Sequence, residues 1–192
     1  GLDVHLSDTD ALLLARALRV ATGTPVSQLL QEYVFGPAGM SSSFYPADTL
    51  AAAGMPDGGL EGSTYPAAGG TPVCEAGVVA VPRVSPSMLG GAGATVTTVT
   101  DLKNFYAQYL GGAFGGDLAP VVTEATPTAN PERDADGNPV VPEGAGEPDP
   151  NAQAWAFDVE RLGPIYGRSG AMTGTLTAAY HDPATGFSVV AV

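Results

Sequence analysis

Arg168-Ser169-Gly170 lies between Ile165-Tyr166-Gly167 and a run of strand-forming residues. A cation, a small hydroxyl and a glycine at the head of an apolar strand offer charge, a hydrogen-bond donor and close backbone approach to an extended ligand. The tripeptide alone says little, because a solvated arginine at a strand edge with a glycine bulge has the same spelling. It gains weight from Leu6-Ser7-Asp8-Thr9-Asp10 far upstream, which places a hydroxyl and acids at the start of a helical run. Two readings of that segment stay open: Ser7 and Asp8 as a helix cap alone, or as a cap that also walls a site. His5 and His181 have no partners near them in sequence and read as structural. Cys74 is the lone cysteine, so it forms no internal disulfide, and its surroundings show no metal-ligand spacing.

Three helices must position these groups. Ser7 caps the first, which runs through Ala11-Leu12-Leu13-Leu14 to Val20 and stops at Gly23. Thr24-Pro25 opens the second, with Pro25 at its first helical position. Val26, Leu29, Leu30, Tyr33 and Val34 then follow the spacing of a buried stripe. The third begins near Thr100-Asp101 and repeats that spacing at Leu102, Phe105, Tyr106, Tyr109 and Leu110. All three read as core packing, since none carries an ionisable cluster.

Between them, residues 45–83 are rich in Gly, Pro and Ala and read as loops with one short strand. Residues 123–151 hold seven acids between Glu124 and Asp149 against a single base, Arg133. Such a stretch buries too little apolar surface to offset the entropy of ordering, and reads as a mobile surface loop. The last forty residues, about, change character. Ala154 to Glu160 alternates, Leu162-Gly163-Pro164 turns, Thr173 to Tyr180 runs extended, Asp182-Pro183-Ala184-Thr185-Gly186 turns again, and Phe187 to Val192 follows. That is an antiparallel meander. The expected layout is thus 1–122 helical and loop, 123–151 acidic loop, and 152–192 sheet.

Composition narrows the function. The 192 residues carry a net charge of −13, with Lys103 the only lysine, so phosphate backbones are repelled and nucleic-acid binding is not expected. Hydrophobic content of 44% suits a globular protein with a real core. No apolar run approaches the roughly 18–20 residues that cross a bilayer. The first residues show neither the basic end nor the apolar stretch of a signal peptide.

Ser7-Asp8-Thr9-Asp10 before Leu12-Leu13-Leu14, Thr22-Gly23-Thr24-Pro25, and Phe35-Gly36-Pro37-Ala38-Gly39-Met40 together resemble the serine β-lactamase and D-alanyl-D-alanine carboxypeptidase family. The nearest subgroup is the class C-like hydrolases, with their "F-x-P-L-G-M" turn. Ala92-Gly93-Ala94-Thr95-Val96-Thr97-Thr98-Val99-Thr100-Asp101-Leu102 is similar to the family's "A-G-x-x-x-S-T-x-x-D-L", and Arg168-Ser169-Gly170 falls where the family has "K-T-G" or "H-x-G". The resemblance covers residues 5–192. It implies an α/β fold of the α+β type, an antiparallel sheet flanked by helices, incomplete in this chain. It also implies acyl transfer through a serine nucleophile on D-Ala-D-Ala peptides, β-lactams or esters, no metal or organic cofactor, and an exported location.

Three departures temper that implication. The family's Ser-x-x-Lys is absent, since Thr100 stands three residues before Lys103. The expectation is therefore an internal or C-terminal fragment, inactive by itself and poorly stable in isolation. The second motif, Tyr-x-Asn, aligns Leu6 with the tyrosine and Asp8 with the asparagine, and leucine relays no proton. A one-residue shift instead reads Ser7-Asp8-Thr9 as the "S-D-N" of other branches, with Ser7 as the relay. At the third motif Arg168 is permanently charged and cannot shuttle a proton, but it can grip a carboxylate. By the resemblance Ser169 bonds that carboxylate too, Gly170 leaves room for substrate, and the Ala171 N–H completes an oxyanion hole. The catalytic candidates are thus Ser7, Asp8 and Ala171, and the substrate-binding candidates Arg168, Ser169 and Gly170. A substrate with a free carboxylate is the expected partner, with an inactive ligand-binding relative or an interaction domain as the alternatives.

Overall fold

A computed structural model describes residues 7–46, 61–68, 71–81, 89–115, 126–127, 154–156, 159–172 and 174–192. Helix α1 spans Asp8–Thr22. Ser7 caps it in an extended conformation, its hydroxyl accepting from the Asp10 N–H, and Gly23 closes it at φ 69°. The expected core role for this helix does not hold: no α1 residue is buried, and Leu13 and Leu14 are 59% and 62% exposed. The reason is a contact through small residues. α1 packs on the 3-10 turn Gly90–Ala92, where a Cβ on Gly91 would meet Ala11 O at 2.6 Å and the Ala15 Cβ at 2.7 Å.

Helix α2, Val26–Leu30, has Pro25 as its N-cap rather than its first helical residue, and runs into a π turn at Gln31–Phe35. The wider turn re-phases the apolar stripe, so Phe35 is buried and Tyr33 faces solvent. The following Gly36 to Met40 turn folds back on the helix, with Met40 N–H donating to Phe35 O at 2.8 Å. Phe35, Ala38 and Met40 form one core cluster, joined by Leu30, Val34, Tyr45, Phe105 and Phe114.

Helix α3, Val99–Leu110, is capped by Thr98, whose hydroxyl accepts from the Asp101 N–H. Asp101 is buried. Its Oδ2 accepts from the Ser42 N–H at 2.7 Å and the Ser43 hydroxyl at 2.8 Å, and Ser43 Oγ lies 2.7 Å from Thr97 Oγ1. One carboxylate thus clamps the segment after Met40 to the start of α3, beside the two-way backbone bridge of Phe44 and Val96. Phe105 stacks on Tyr109 at 5.5 Å, and Phe114 closes the aromatic group at 5.8 Å from Phe105.

The region expected to be loop carries four short strands in two antiparallel pairs. β1 (Ser63–Thr64) pairs with β4 (Val79–Ala80), and β2 (Ala67–Ala68) with β3 (Thr71–Pro72). The main sheet holds β5 (Thr126–Pro127), β6 (Ala154–Ala156), β7 (Val159–Leu162), β8 (Ile165–Met172), β9 (Thr175–His181) and β10 (Ser188–Ala191). All are antiparallel, in the order β10-β9-β8-β7-β6-β5. The meander is as expected, with one difference: the alternating run from Ala154 reverses on itself, because Ala156 pairs with Val159. Apart from β5, whose proline suits a sheet edge, the acidic 123–151 stretch lies outside the described residues.

One side of this sheet carries Val159, Tyr166, Ala179 and His181 and receives α3 through Leu110 and Tyr109. His181 is buried there, its Nδ1 2.7 Å from Ser188 Oγ, a satisfied core histidine. Among the described helices none is long and apolar enough to cross a membrane.

The Asp101 clamp can be tested directly. Replacing Asp101 by Ala removes the shared acceptor of the Ser42 N–H and the Ser43 hydroxyl, and should cost about 2 kcal/mol of unfolding free energy in a urea melt. Asp101→Asn, which keeps one acceptor, should recover part of that loss.

Candidate functional site

Strand β8 is bordered unequally. Its ladder with β7 joins only Leu162 to Ile165, Arg161 to Tyr166 and Glu160 to Gly167. Its ladder with β9 continues through Arg168, Ser169, Gly170, Ala171 and Met172. Among the described residues, 169–172 are therefore laddered on one side only, next to the arginine. Beyond Met172 the β1–β4 pair docks on the turn: Ser63 N–H donates to Gly174 O at 2.9 Å and Val81 N–H to Gly62 O at 2.8 Å. Gly174, at φ 83°, admits this approach because a Cβ would meet the Val81 side chain at 2.5 Å and Ser63 N at 2.9 Å.

The sequence candidates divide by sheet side. Strand alternation puts Arg168 on the α3 side, with Ala179 opposite it, and Ser169 and Ala171 on the other. Ser169, Gly170, Ala171, Leu176, Thr177 and Ala178, with the end of β10, line an open hollow of about 590 Å³. Ser7 and Asp8 stand exposed at the head of α1. The main packing partners of α1 are the Gly90–Ala92 turn and α2, and those of β8 are β7 and β9. These contacts group Arg168 to Ala171 on one strand and do not join Ser7 and Asp8 to them.

Sequence reasoning missed three neighbours of this strand. Arg161 pairs with Tyr166, so it stands diagonal to Arg168 on the same side, about 7–8 Å away in the usual antiparallel geometry. Its Nε is buried without a hydrogen-bond partner among the described residues. On the other side Glu160, Gly167 and Tyr180 form one cross-strand row. Gly167 has no side chain to block the span, so the Tyr180 hydroxyl crosses β8 and donates to Glu160 Oε2 at 2.7 Å. A Cβ there would also collide with Ala179 O and lie 2.7 Å from the Tyr180 Cα. The available signal was the two-residue turn at Gly163-Pro164, which sets the β7–β8 register and hence which side chains face one another.

Burial pushes the Tyr180 hydroxyl up to about 12, helped by its bond to the Glu160 carboxylate and opposed by one from Ser169. No group of three or more histidine, cysteine or acidic residues suited to a metal occurs among the described residues.

With this geometry in place, the comparisons define the class. The β-lactamase family profile matches residues 5–192, and the chain belongs to that family. Its fold is similar to a D-stereospecific amidohydrolase from Streptomyces sp., with TM-score 0.73 and 19% identity over 99% of this chain and 50% of that one. It is similar also to the D-amino acid amidase from Ochrobactrum anthropi SV3 complexed with L-phenylalanine amide, with TM-score 0.70 and 19% identity over 98% and 49%. A penicillin binding protein from Bacillus halodurans matches with TM-score 0.64 and 16% identity over 99% and 51%. The chain thus spans about half the length of these structures. A search of curated proteins returns no match. The family is one of serine hydrolases, and the expected α+β architecture of antiparallel sheet and helices is present.

The Tyr180 row makes a clean spectroscopic prediction. Because the folded value lies above the ordinary 10, its contribution to stability is complete below pH 10 and is lost as pH rises through about 12. Tyrosinate absorbance should show a late-titrating component from Tyr180. Tyr180→Phe should remove it, and Glu160→Gln should bring it down only in part, since burial is the larger cause.

Proposed function

We propose that this chain supplies the strand wall of a serine hydrolase that works through an acyl-enzyme. The observation that carries the reading is β8 itself: among the described residues its 169–172 segment has a ladder on one side only, with a cation at its head. An extended acyl substrate can lie along such an edge as an added strand, held by main-chain bonds. In this reading Arg168 grips a substrate carboxylate, Gly170 leaves space, and the Ala171 N–H donates to the oxyanion together with the nucleophile's own N–H. Arg161, diagonal to Arg168, adds a second positive charge on that side. The relay hydroxyl and acid of this reading are Ser7 and Asp8 at the head of α1, which the main contacts of α1 do not join to β8.

The nucleophile belongs to residues other than these 192, because no Ser-x-x-Lys occurs among them. D-Ala-D-Ala peptides, β-lactams and esters are the substrate classes that the motifs favour. The likeness to amidases of D-amino acids supports adding their amides. The site of action in this reading is outside the cytoplasmic membrane.

A second reading rests on a specific observation. Arg168 cannot exchange a proton near neutral pH, and Leu6 stands where the family's tyrosine would be. Both changes suit a relative that binds such ligands without turning them over.

Covalent labelling of the complete protein by a fluorescent penicillin separates the two. The hydrolase reading expects a label on serine, reduced about tenfold or more by Arg168→Ala, as for the loss of a charge-assisted bond. Reversible binding with no covalent adduct favours the binder. Labelling indifferent to Arg168→Ala removes that residue from the site.

A further inference from the structure

Beyond Met172 the floor of the candidate site comes to an end. Ser169, Gly170, Ala171 and Met172 are exposed, and a Cβ on Gly170 would meet no atom within 4 Å among the described residues. On the Arg168 side, then, this stretch of β8 opens onto free space. Across the turn Gly174 and Thr175 are half-buried, and what stands against them is the β1–β4 ribbon. Ser63 N–H donates to Gly174 O and Val81 N–H to Gly62 O, and a Cβ on Gly62 would lie 3.0 Å from Gly174 O and 3.2 Å from Thr175 Oγ1. Two glycines thus meet backbone to backbone, a contact with no slack. Thr175 pairs with Met172, which shares its side of the strand with Gly170 and Arg168, so the ribbon stands on the side of the arginine.

The structure assigns this ribbon the part of an end stop: the site takes substrates whose acyl part is one or two residues long and excludes longer ones. On the hydrolase reading, which this inference takes over, the direction of the ligand is fixed. With the leaving-side carboxylate on Arg168 and the oxyanion on the Ala171 N–H, the acyl part runs on past Met172 toward Gly174. A strand advances about 10 Å from Ala171 to Gly174. The ribbon needs about 5 Å of that length, the spacing of neighbouring backbones, and the remainder holds one or two extended residues. A longer acyl chain has to lift Gly62 and Ser63 off the turn and break the bond to Gly174 O, whereas a short one leaves them in place. Selection of this kind works by a clash with the wrong ligand rather than by added contact with the right one. The ribbon is a determinant of specificity and takes no part in breaking the bond. The favoured class is therefore short dipeptides and amino-acid amides with a free amino end, not the ends of long peptides.

The test is calorimetric binding to the complete protein of two ketomethylene analogues, in which a CH2 group replaces the scissile amide nitrogen so that neither is cleaved. One is the analogue of D-Ala-D-Ala and the other that of Gly-Gly-Gly-D-Ala-D-Ala, which differs only by its longer acyl part. The short analogue should bind about tenfold or more tighter. Gly62→Val, whose side chain pushes the ribbon away from Gly174 O and Thr175 Oγ1, should bring the two affinities together by improving that of the long analogue. Val81→Ala trims the side chain that packs on Gly174 and is the milder form of the same change, read in its place if Gly62→Val does not fold. Equal affinities in the unaltered protein, tighter binding of the long analogue, binding of neither, or a preference that survives both substitutions would each overturn the inference. The penicillin experiment is independent: its failure with the length preference intact sinks the hydrolase reading alone, and labelling without a length preference sinks the end stop alone.

Discussion

Strand β8 carries two different environments on eight residues, and the candidate site exists because of the change between them. At Tyr166 and Gly167 it is laddered on both sides; past Gly167 its ladder runs to β9 only, among the described residues. A fully bordered strand has its backbone groups occupied by its neighbours. A strand bordered on one side keeps donors and acceptors for another chain. The motif Arg168-Ser169-Gly170 begins where β7 stops. Charge, hydroxyl and backbone edge therefore coincide, and their coincidence is a matter of register rather than of any residue taken singly.

The surrounding structure holds that strand from three directions. α3 lies against the sheet through Leu110, over Val159 and Tyr166, and meets β9 and β10. The β1–β4 pair closes on Gly174 at the end of β8. Asp101 then ties the head of α3 to the segment after Met40, which belongs to the same cluster as Phe35 and Phe105. A buried carboxylate accepting from a backbone N–H and a hydroxyl on another segment couples these pieces firmly. Position on the sheet and cohesion of the helical part are thus linked through one helix.

Much of this was legible beforehand, and what was not had definite causes. The cap of α1 at Ser7 and its end at Gly23 depend on contacts within a few residues and stand as read, and α3 begins at Val99, one residue before the expected Thr100, under a cap by Thr98. The turn from Asp182 to Gly186 is similar: Asp182 accepts from Ala184 N–H at 2.9 Å and the Thr185 hydroxyl at 2.7 Å, and Gly186 takes φ 73°. Its carboxyl is held below the usual value chiefly by the Thr185 bond. The exposure of the α1 leucines was hidden, because an apolar helix does not announce which face meets a glycine turn some eighty residues away in sequence. The π turn at Gln31–Phe35 was hidden for a related reason: it trades Tyr33 for Phe35 in the core while leaving the composition of the stripe untouched. The hairpin inside the Ala154 run looked like one strand, since both arms alternate.

The chain by itself determined its family, its helix ends, its meander and the chemical character of Arg168-Ser169-Gly170, because each is written in short-range residue patterns. Which side of the sheet each group faces was decided only by tertiary structure, since a strand's alternation acquires an inside and an outside when a neighbour and a helix are laid against it. The same holds for the bond from Tyr180 to Glu160. It spans from β9 to β7 across a residue of β8 without a side chain, and hydrogen bonds of that reach are set by register.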